Sequence, residues 1–284
     1  MKIEYKSTFG VAGNFTGHLE QAGEAVDFKN IKTAEAIAPK AIFPTFLKID
    51  NPAKVIPEYL TVNPFDSQKI LFPKGESKLQ IECECVIACK VQWQDKFITK
   101  ITPYAFAASN DCSIRKEGAK KISEKKNWGE SSKGYSDNFI PLTENDFTSG
   151  SILDKYRIAG FLVRDNQIID YGENSAIKDY SYIYEKLINW MIDKFNNQQC
   201  EGPAEDLHSY LLEQNCPEEI LVSIGATRYT QWGQENFLAE KDLAVVVIYP
   251  EDKYSVDEIK TFISQKNYEK KDISFLVQEV ILQK

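Results

Sequence analysis

The chain has 284 residues, enough to bury a full core as one large domain without covalent staples. Its 34 Lys and Arg stand against 42 Asp and Glu, a formal net charge of -8, which disfavours nucleic acid and anionic membrane and leaves small molecules or proteins as partners. Six cysteines without framework spacing, no apolar leader after Met1 and a longest aliphatic run of only Leu243–Ile248 fit a soluble protein of the reducing cytoplasm.

In chain order, the first feature is a glycine-rich turn, Gly10-Val11-Ala12-Gly13-Asn14-Phe15-Thr16-Gly17-His18. It matches neither G-x-x-x-x-G-K nor G-x-G-x-x-G, so it is no phosphate loop. Its glycines let the backbone bend tightly and deliver His18, a side chain able to take a proton near neutral pH. A plain turn ending in a surface histidine fits the string as well.

A strand is predicted over Leu79–Val91. Side chains alternate along it, so Ile81, Cys83, Cys85, Ile87 and Cys89 share one face, and Glu82 and Glu84 share the other with Val86 and Ala88. Both faces read as buried. The cysteines stand in a row on a strand, which suits core packing and not a thiolate cage. Two carboxylates roughly 7 Å apart on one apolar face would repel and lose hydration unless a cation joined them. A hard divalent ion such as Mg²⁺ meets that need; half of a solvated face is the plainer alternative.

A second strand follows at Phe97–Ala107, then Ser109-Asn110-Asp111-Cys112-Ser113-Ile114-Arg115. Asp111 could add a third carboxylate, although Asn-Asp-x-Ser equally suits a turn or helix cap. The lysine-rich run Lys116 to Lys126 reads as a solvated helix or lid ahead of Lys133-Gly134-Tyr135. Strands at Ile158–Val163 and Gln167–Tyr171 flank a hairpin turn at Arg164-Asp165-Asn166. An amphipathic helix is predicted over Lys178–Phe195, packed on the sheet. Residues 196–220 read as an insertion with a helix over Ala204–Gln214, whose His208 receives no role. A strand at Ala244–Tyr249, a capping box at Ser255–Glu258 opening a helix and a strand at Ile273–Leu282 complete the chain.

These pieces, in this order, resemble the fumarylacetoacetate hydrolase family. Asn14-Phe15-Thr16-Gly17-His18 stands for its N-[YF]-x-x-H, Pro44-Thr45-Phe46-Leu47-Lys48 for its Pro-x-Phe-x-Lys stretch and Glu82/Glu84 for its E-x-E strand. Asn110, Asp111, Ser113 and Arg115 match N-D-x-S-x-R fully. Trp128, Lys133, Gly134, Asp137 and Pro141 approximate its W-x-x-x-K-G-x-D-x-x-x-P block with spacing off by one, and Gly225-Ala226-Thr227 its late glycine-threonine turn. The resemblance covers about residues 9–250.

The resemblance implies a β-rich α+β fold, a mixed β-sandwich roll of the family's C-terminal domain type. It would span residues 1–250 with a helical insertion near 190–222, carry a helix–strand extension at 251–284 and assemble as a homodimer. Glu82, Glu84 and Asp111 would ligate Mg²⁺ or Mn²⁺, with Ca²⁺ a further candidate. His18 would be the general base and Lys133 would steady an enolate or oxyanion; Asn14, Lys48, Arg115 and Thr227 would line the substrate. That substrate would be a 2-oxo acid or diketone, and the leading reaction hydrolysis of a C–C bond in an acylpyruvate-like compound. Decarboxylase, hydratase or isomerase chemistry and a catalytically weak binding protein are the alternatives. Two departures stand out: Gln21 occupies the place of the acid three residues after the histidine, and Lys116 that of the acid after N-D-x-S-x-R.

Overall fold

The alternation of residues 81–89 separates two cores. Ile81, Cys83, Cys85, Ile87 and Cys89 enter the principal one, while Val86 and Ala88 join a smaller one on the opposite face. The computed structural model describes residues 5–29, 31, 33–50, 54–115 and 120–283.

Among the described residues, the first sheet runs β2 (Ala41–Leu47), β1 (Ser7–Ala12), β12 (Glu219–Ala226), β5 (Cys83–Gln94), β6 (Phe97–Asn110) and β8 (Gly134–Tyr135), and β9 (Ile140–Pro141) also pairs with β6. The second runs β11 (Gln167–Ala176), β10 (Tyr156–Arg164), β13 (Leu243–Pro250), β14 (Ser274–Leu282) and β3 (Lys69–Phe72). A short pair, β4 (Leu79–Gln80) with β7 (Ser113–Ile114), brackets the acidic segment. The β1–β12 and β14–β3 pairs are parallel and the other pairs antiparallel, so both large sheets are mixed. This is the predicted β-rich α+β sandwich.

Local chemistry explains the hairpins. Asp95 and Lys96 (φ 50° and 69°) join β5 to β6, and Asp165 and Asn166 (φ 52° and 63°) join β10 to β11. Two consecutive left-handed residues match the twist of the flanking strands.

Helices fill the flanks. In α3 (Tyr184–Asn197), Leu187, Met191 and Phe195 recur every four residues and are buried in the principal core. Asp206 caps α4 (Leu207–Glu213), and the Ser255–Glu258 capping box opens α6 (Val256–Ser264), which covers the outer face of the second sheet with Ile259 and Ile263. Residues 251–284 thus supply α6 and β14, and β14 lies between β13 and β3. Three short helices, α1 (His18–Gln21), α2 (Ile122–Lys126) and α5 (Gln231–Glu235), complete the set.

The two sheets meet closely where Gly160 of β10 pairs with Gly172 of β11. A Cβ at Gly160 would lie 2.0 Å from Cys83 Sγ, and one at Gly172 would lie 2.9 Å from it. The bare backbone lets the second sheet press against the start of β5, directly behind the acidic pair.

Candidate metal centre

The C-terminal end of β1, the start of β5 and the end of β6 converge on one buried spot. Glu82 precedes β5, and its N–H donates to Asn110 Oδ1 at 3.0 Å while its carbonyl accepts from Asp111 N–H at 3.2 Å. Adjacent antiparallel strands therefore present Glu82 and Asp111 side by side. Glu84 sits opposite Ser109 on one flank and Ala226 on the other. In β12 the register shifts between Ser223 and Ala226, and Gly225 (φ 118°) turns its N–H onto Glu84 Oε2 at 3.2 Å. Such bulges re-aim backbone groups beside functional sites.

One oxygen from each of Glu82, Glu84 and Asp111 lies within 4.8 Å of the others, and all three side chains are buried. Three convergent carboxylates are a hard oxygen donor set, so the residues fit a divalent cation such as Mg²⁺, Mn²⁺ or Ca²⁺.

Three cations already surround them. Arg115 Nη2 donates to Glu82 Oε1 at 2.8 Å and to the Tyr229 hydroxyl at 2.6 Å, Nη1 to Glu24 Oε1 at 2.9 Å and Nε to Gln80 Oε1 at 2.6 Å. Lys133, almost fully buried, forms an ion pair with Asp111 Oδ1. Lys126 Nζ lies 2.5 Å from Glu82 Oε2 and 2.6 Å from Asp111 Oδ2, with the Phe43 ring 5.3 Å away.

These neighbours divide the carboxylates electrostatically. Burial works against the charge of Glu82, yet Lys126 and Arg115 pull it below the usual carboxylate range. For Glu84 the pull of Lys126 is outweighed: burial first, then the Asp111 charge, push it well above that range. Burial likewise opposes the charge of Lys126, and Asp111 and Glu82 overcome it, holding the ammonium above the ordinary lysine value.

His18 opens α1 after Gly17, whose φ of 89° suits glycine. Its Nδ1 lies 2.9 Å from the Thr227 carbonyl. A carbonyl only accepts, so Nδ1 carries the proton and Nε2 keeps its lone pair, 4.0 Å from Glu82 Oε1. Burial, more than any nearby charge, lowers the pKa of His18 below the usual histidine value, which favours this neutral form.

Gln21 lies elsewhere. Its amide accepts from Tyr229 N–H at 2.9 Å and donates to the Tyr229 carbonyl at 3.1 Å. The acid that does reach the site is Glu24. After α1 the chain reverses at Gly23 (φ 72°), and Glu24 is buried with Arg115 and, at 3.3 Å, Lys125.

Other expected site residues serve the fold. All of the Asn14 side-chain bonds go to main chain: Nδ2 donates to the carbonyls of Tyr182 and Ile224, and Oδ1 accepts from Tyr182 N–H. Asn14 is a clamp between elements. Lys48 is exposed at the wrong end of the β1–β2 pair: Leu47 pairs with Ser7, whereas the site lies beyond the Ala12–Ala41 pairing. The Thr227 hydroxyl donates to the Cys83 carbonyl at 3.3 Å, so this residue contributes its own carbonyl to His18.

Sequence reading gave Lys126, Glu24 and Tyr229 no role at the site. The run from Lys116 was expected to be solvated, but residues 116–119 lie outside the described residues and its end forms α2, where Ile122, Ser123 and Lys126 are buried. A usable signal existed: Ile122 and Lys126 stand four apart, on one helix face. For Glu24 the signal is Gly23, a residue suited to reversing the chain after a helix.

The remaining space is small. His18, Glu24, Phe43, Glu82, Glu84 and Lys126 help to line a cavity of about 10 Å³, room for roughly one water molecule.

A sequence profile of DUF5718, a family of unknown function, matches residues 24–280. The chain belongs to DUF5718. No curated protein sequence matches it. Solved structures with the fumarylacetoacetate hydrolase fold are similar to this DUF5718 chain over nearly its whole length. Cg1458 with inhibitor is 13% identical at TM-score 0.55, covering 98% of this chain and 78% of that one. The 2-keto-3-deoxy-D-arabinonate dehydratase complexed with magnesium and 2,5-dioxopentanoate is 11% identical at TM-score 0.54, covering 99% and 75%. A putative fumarylacetoacetate hydrolase family protein from Yersinia pestis CO92 is 14% identical at TM-score 0.53, covering 99% and 95%. At these identities the likeness establishes the fold. Among the described residues, no helix is long and apolar enough to cross a membrane.

Proposed function

We propose that this protein is a divalent-metal-dependent enzyme acting on a small 2-oxo acid or β-dicarbonyl compound, with C–C bond hydrolysis of an acylpyruvate-like substrate as its leading reaction. The observation that carries the reading is the buried Glu82, Glu84 and Asp111 set on this fold. A bound Mg²⁺ or Mn²⁺ would polarise the substrate's oxygens and favour carbanion or enolate development. Glu82, Glu84 and Asp111 would hold the cation. His18 takes a proton at Nε2, with Nδ1 anchored on the Thr227 carbonyl. Lys133 supplies positive charge beside Asp111, where an oxyanion would develop. Arg115 orients Glu82 and Glu24.

The dehydratase of like fold, complexed with magnesium and 2,5-dioxopentanoate, supports an oxo-acid ligand and keeps lyase chemistry as the nearest alternative. Gln21 favours that alternative, since no carboxylate occupies its position to assist His18. A homodimer forms part of the proposal. A catalytically weak binding protein is the second reading, favoured by Lys126 on two of the three carboxylates.

Mn²⁺ titration by calorimetry tests the metal, followed by assay of acylpyruvates and oxaloacetate with and without it. Parent protein should bind one ion per chain, and Glu82→Ala and Asp111→Ala should lose at least tenfold in affinity. Unchanged affinity in both variants would remove this centre from the reading.

A further inference from the structure

Lys126 occupies the gap between two of the carboxylates that would hold a cation. Its ammonium bridges Glu82 Oε2 and Asp111 Oδ2 at 2.5 and 2.6 Å, two of the three carboxylates that converge on one spot. A Mg²⁺ ion sits about 2.0–2.1 Å from its oxygens and keeps several waters. The cavity bordered by Glu82, Glu84 and Lys126 has a volume of about 10 Å³, too little for that ion and its waters beside the ammonium. Two cations sharing the same oxygens at low dielectric also repel strongly.

The lysine is held there by design of its surroundings. Helix α2 packs by Ser123, whose hydroxyl bonds Glu205 and lies 2.7 Å from the Tyr59 hydroxyl, and Lys121 Nζ donates to the carbonyls of Ala204 and Gly202 at 2.6 and 2.8 Å. Contacts on α2 thus aim Lys126 at the carboxylates from a helix anchored to the segment before α4.

We propose that Lys126 is a tethered competitor of the divalent cation: its ammonium closes the gap between Glu82 and Asp111, and metal enters only as that side chain withdraws. The inference rests on the metal reading of the same centre. Metal loading and opening of the cavity then become one event, because the group that leaves the oxygens is also the group that fills the space.

Two measurements on the full chain test this. In the first, Mn²⁺ is titrated into parent and Lys126→Met protein; methionine keeps the stem against Phe43 and removes the charge. The variant should bind about five- to a hundredfold tighter. In the second, amine acetylation of Lys126 in the parent is mapped by mass spectrometry across the Mn²⁺ titration. It should rise from near zero with the same midpoint as calorimetry. This arm needs no variant, so a misfolded Lys126→Met protein leaves the test intact. Equal Mn²⁺ affinity in the two proteins, or Lys126 still unlabelled at Mn²⁺ saturation, would overturn the competition while leaving the metal centre standing. No Mn²⁺ binding by either protein would overturn both.

Discussion

The Gln21 side chain clasps the main chain of Tyr229 at two points, accepting from its N–H at 2.9 Å and donating to its carbonyl at 3.1 Å. The same Tyr229 receives a bond from Arg115 through its hydroxyl, and its ring centroid lies 5.4 Å from that of His18. Gln21 therefore positions a wall of the site through Tyr229.

Replacement of Gln21 by glutamate removes the donor and leaves the Tyr229 carbonyl opposite a carboxylate. Gln21→Glu should lose about 1–3 kcal/mol of stability and should not raise turnover of an acylpyruvate. Urea denaturation with a parallel rate assay checks both. A more active variant of parental stability would mean that position 21 can reach His18.

A methyl group at Gly160 would meet Cys83 Sγ where the two sheets face each other. Gly160→Ala should destabilise the protein by about 1–3 kcal/mol, as overpacked cores do, and Cys83→Ala in the same chain should recover part of that loss. The denaturation midpoints of the parent, the two single variants and the double variant decide it. Additive losses would show that the strain lies elsewhere.

Glu205 gives a pH signature distinct from the metal centre. Burial, ahead of any other influence, raises its carboxyl to about 7 from an ordinary 4.5. Between those values the folded protein holds more protons than the unfolded one, so this group's contribution to stability falls as pH rises. Glu205→Gln should therefore gain stability relative to the parent on going from pH 5 to pH 8, by up to about 3 kcal/mol. The same difference at both pH values would place the carboxyl in a wetter setting.

Removal of His18 separates base from ligand. His18→Ala should lower kcat on the responsive oxo acid by roughly a hundredfold or more and leave Mn²⁺ affinity within about twofold, because a base acts in the chemical step. A variant that turns over at the parental rate would assign the proton transfer to another group, with Glu24 the next candidate by its burial beside Arg115.

Much of the framework was legible from sequence because it depends on short-range periodicity. Alternation along residues 81–89 separates the faces that become two cores, Asp165-Asn166 mark a hairpin by their tolerance of positive φ, and Ser255 with Glu258 announce a helix start. Motif order along the chain pointed to the fold, and the burial of Glu82 and Glu84 followed from their apolar neighbours. What lies opposite a buried face is another matter, since sheet order and register join residues far apart in sequence. Only the pairing of β5 with β6 sets Asp111 beside Glu82, and only the β12 bulge turns Gly225 onto Glu84. Asn14 and Lys48 fit a motif yet fall to a main-chain clamp and a distant strand end. Lys126 is the sharpest case: its sequence neighbours are lysines, which suggest solvent, while its partners Glu82 and Asp111 come from the segments just before β5 and just after β6. A charge of one sign is placed by the opposite charges that tertiary structure brings to it, and local sequence carries no record of them.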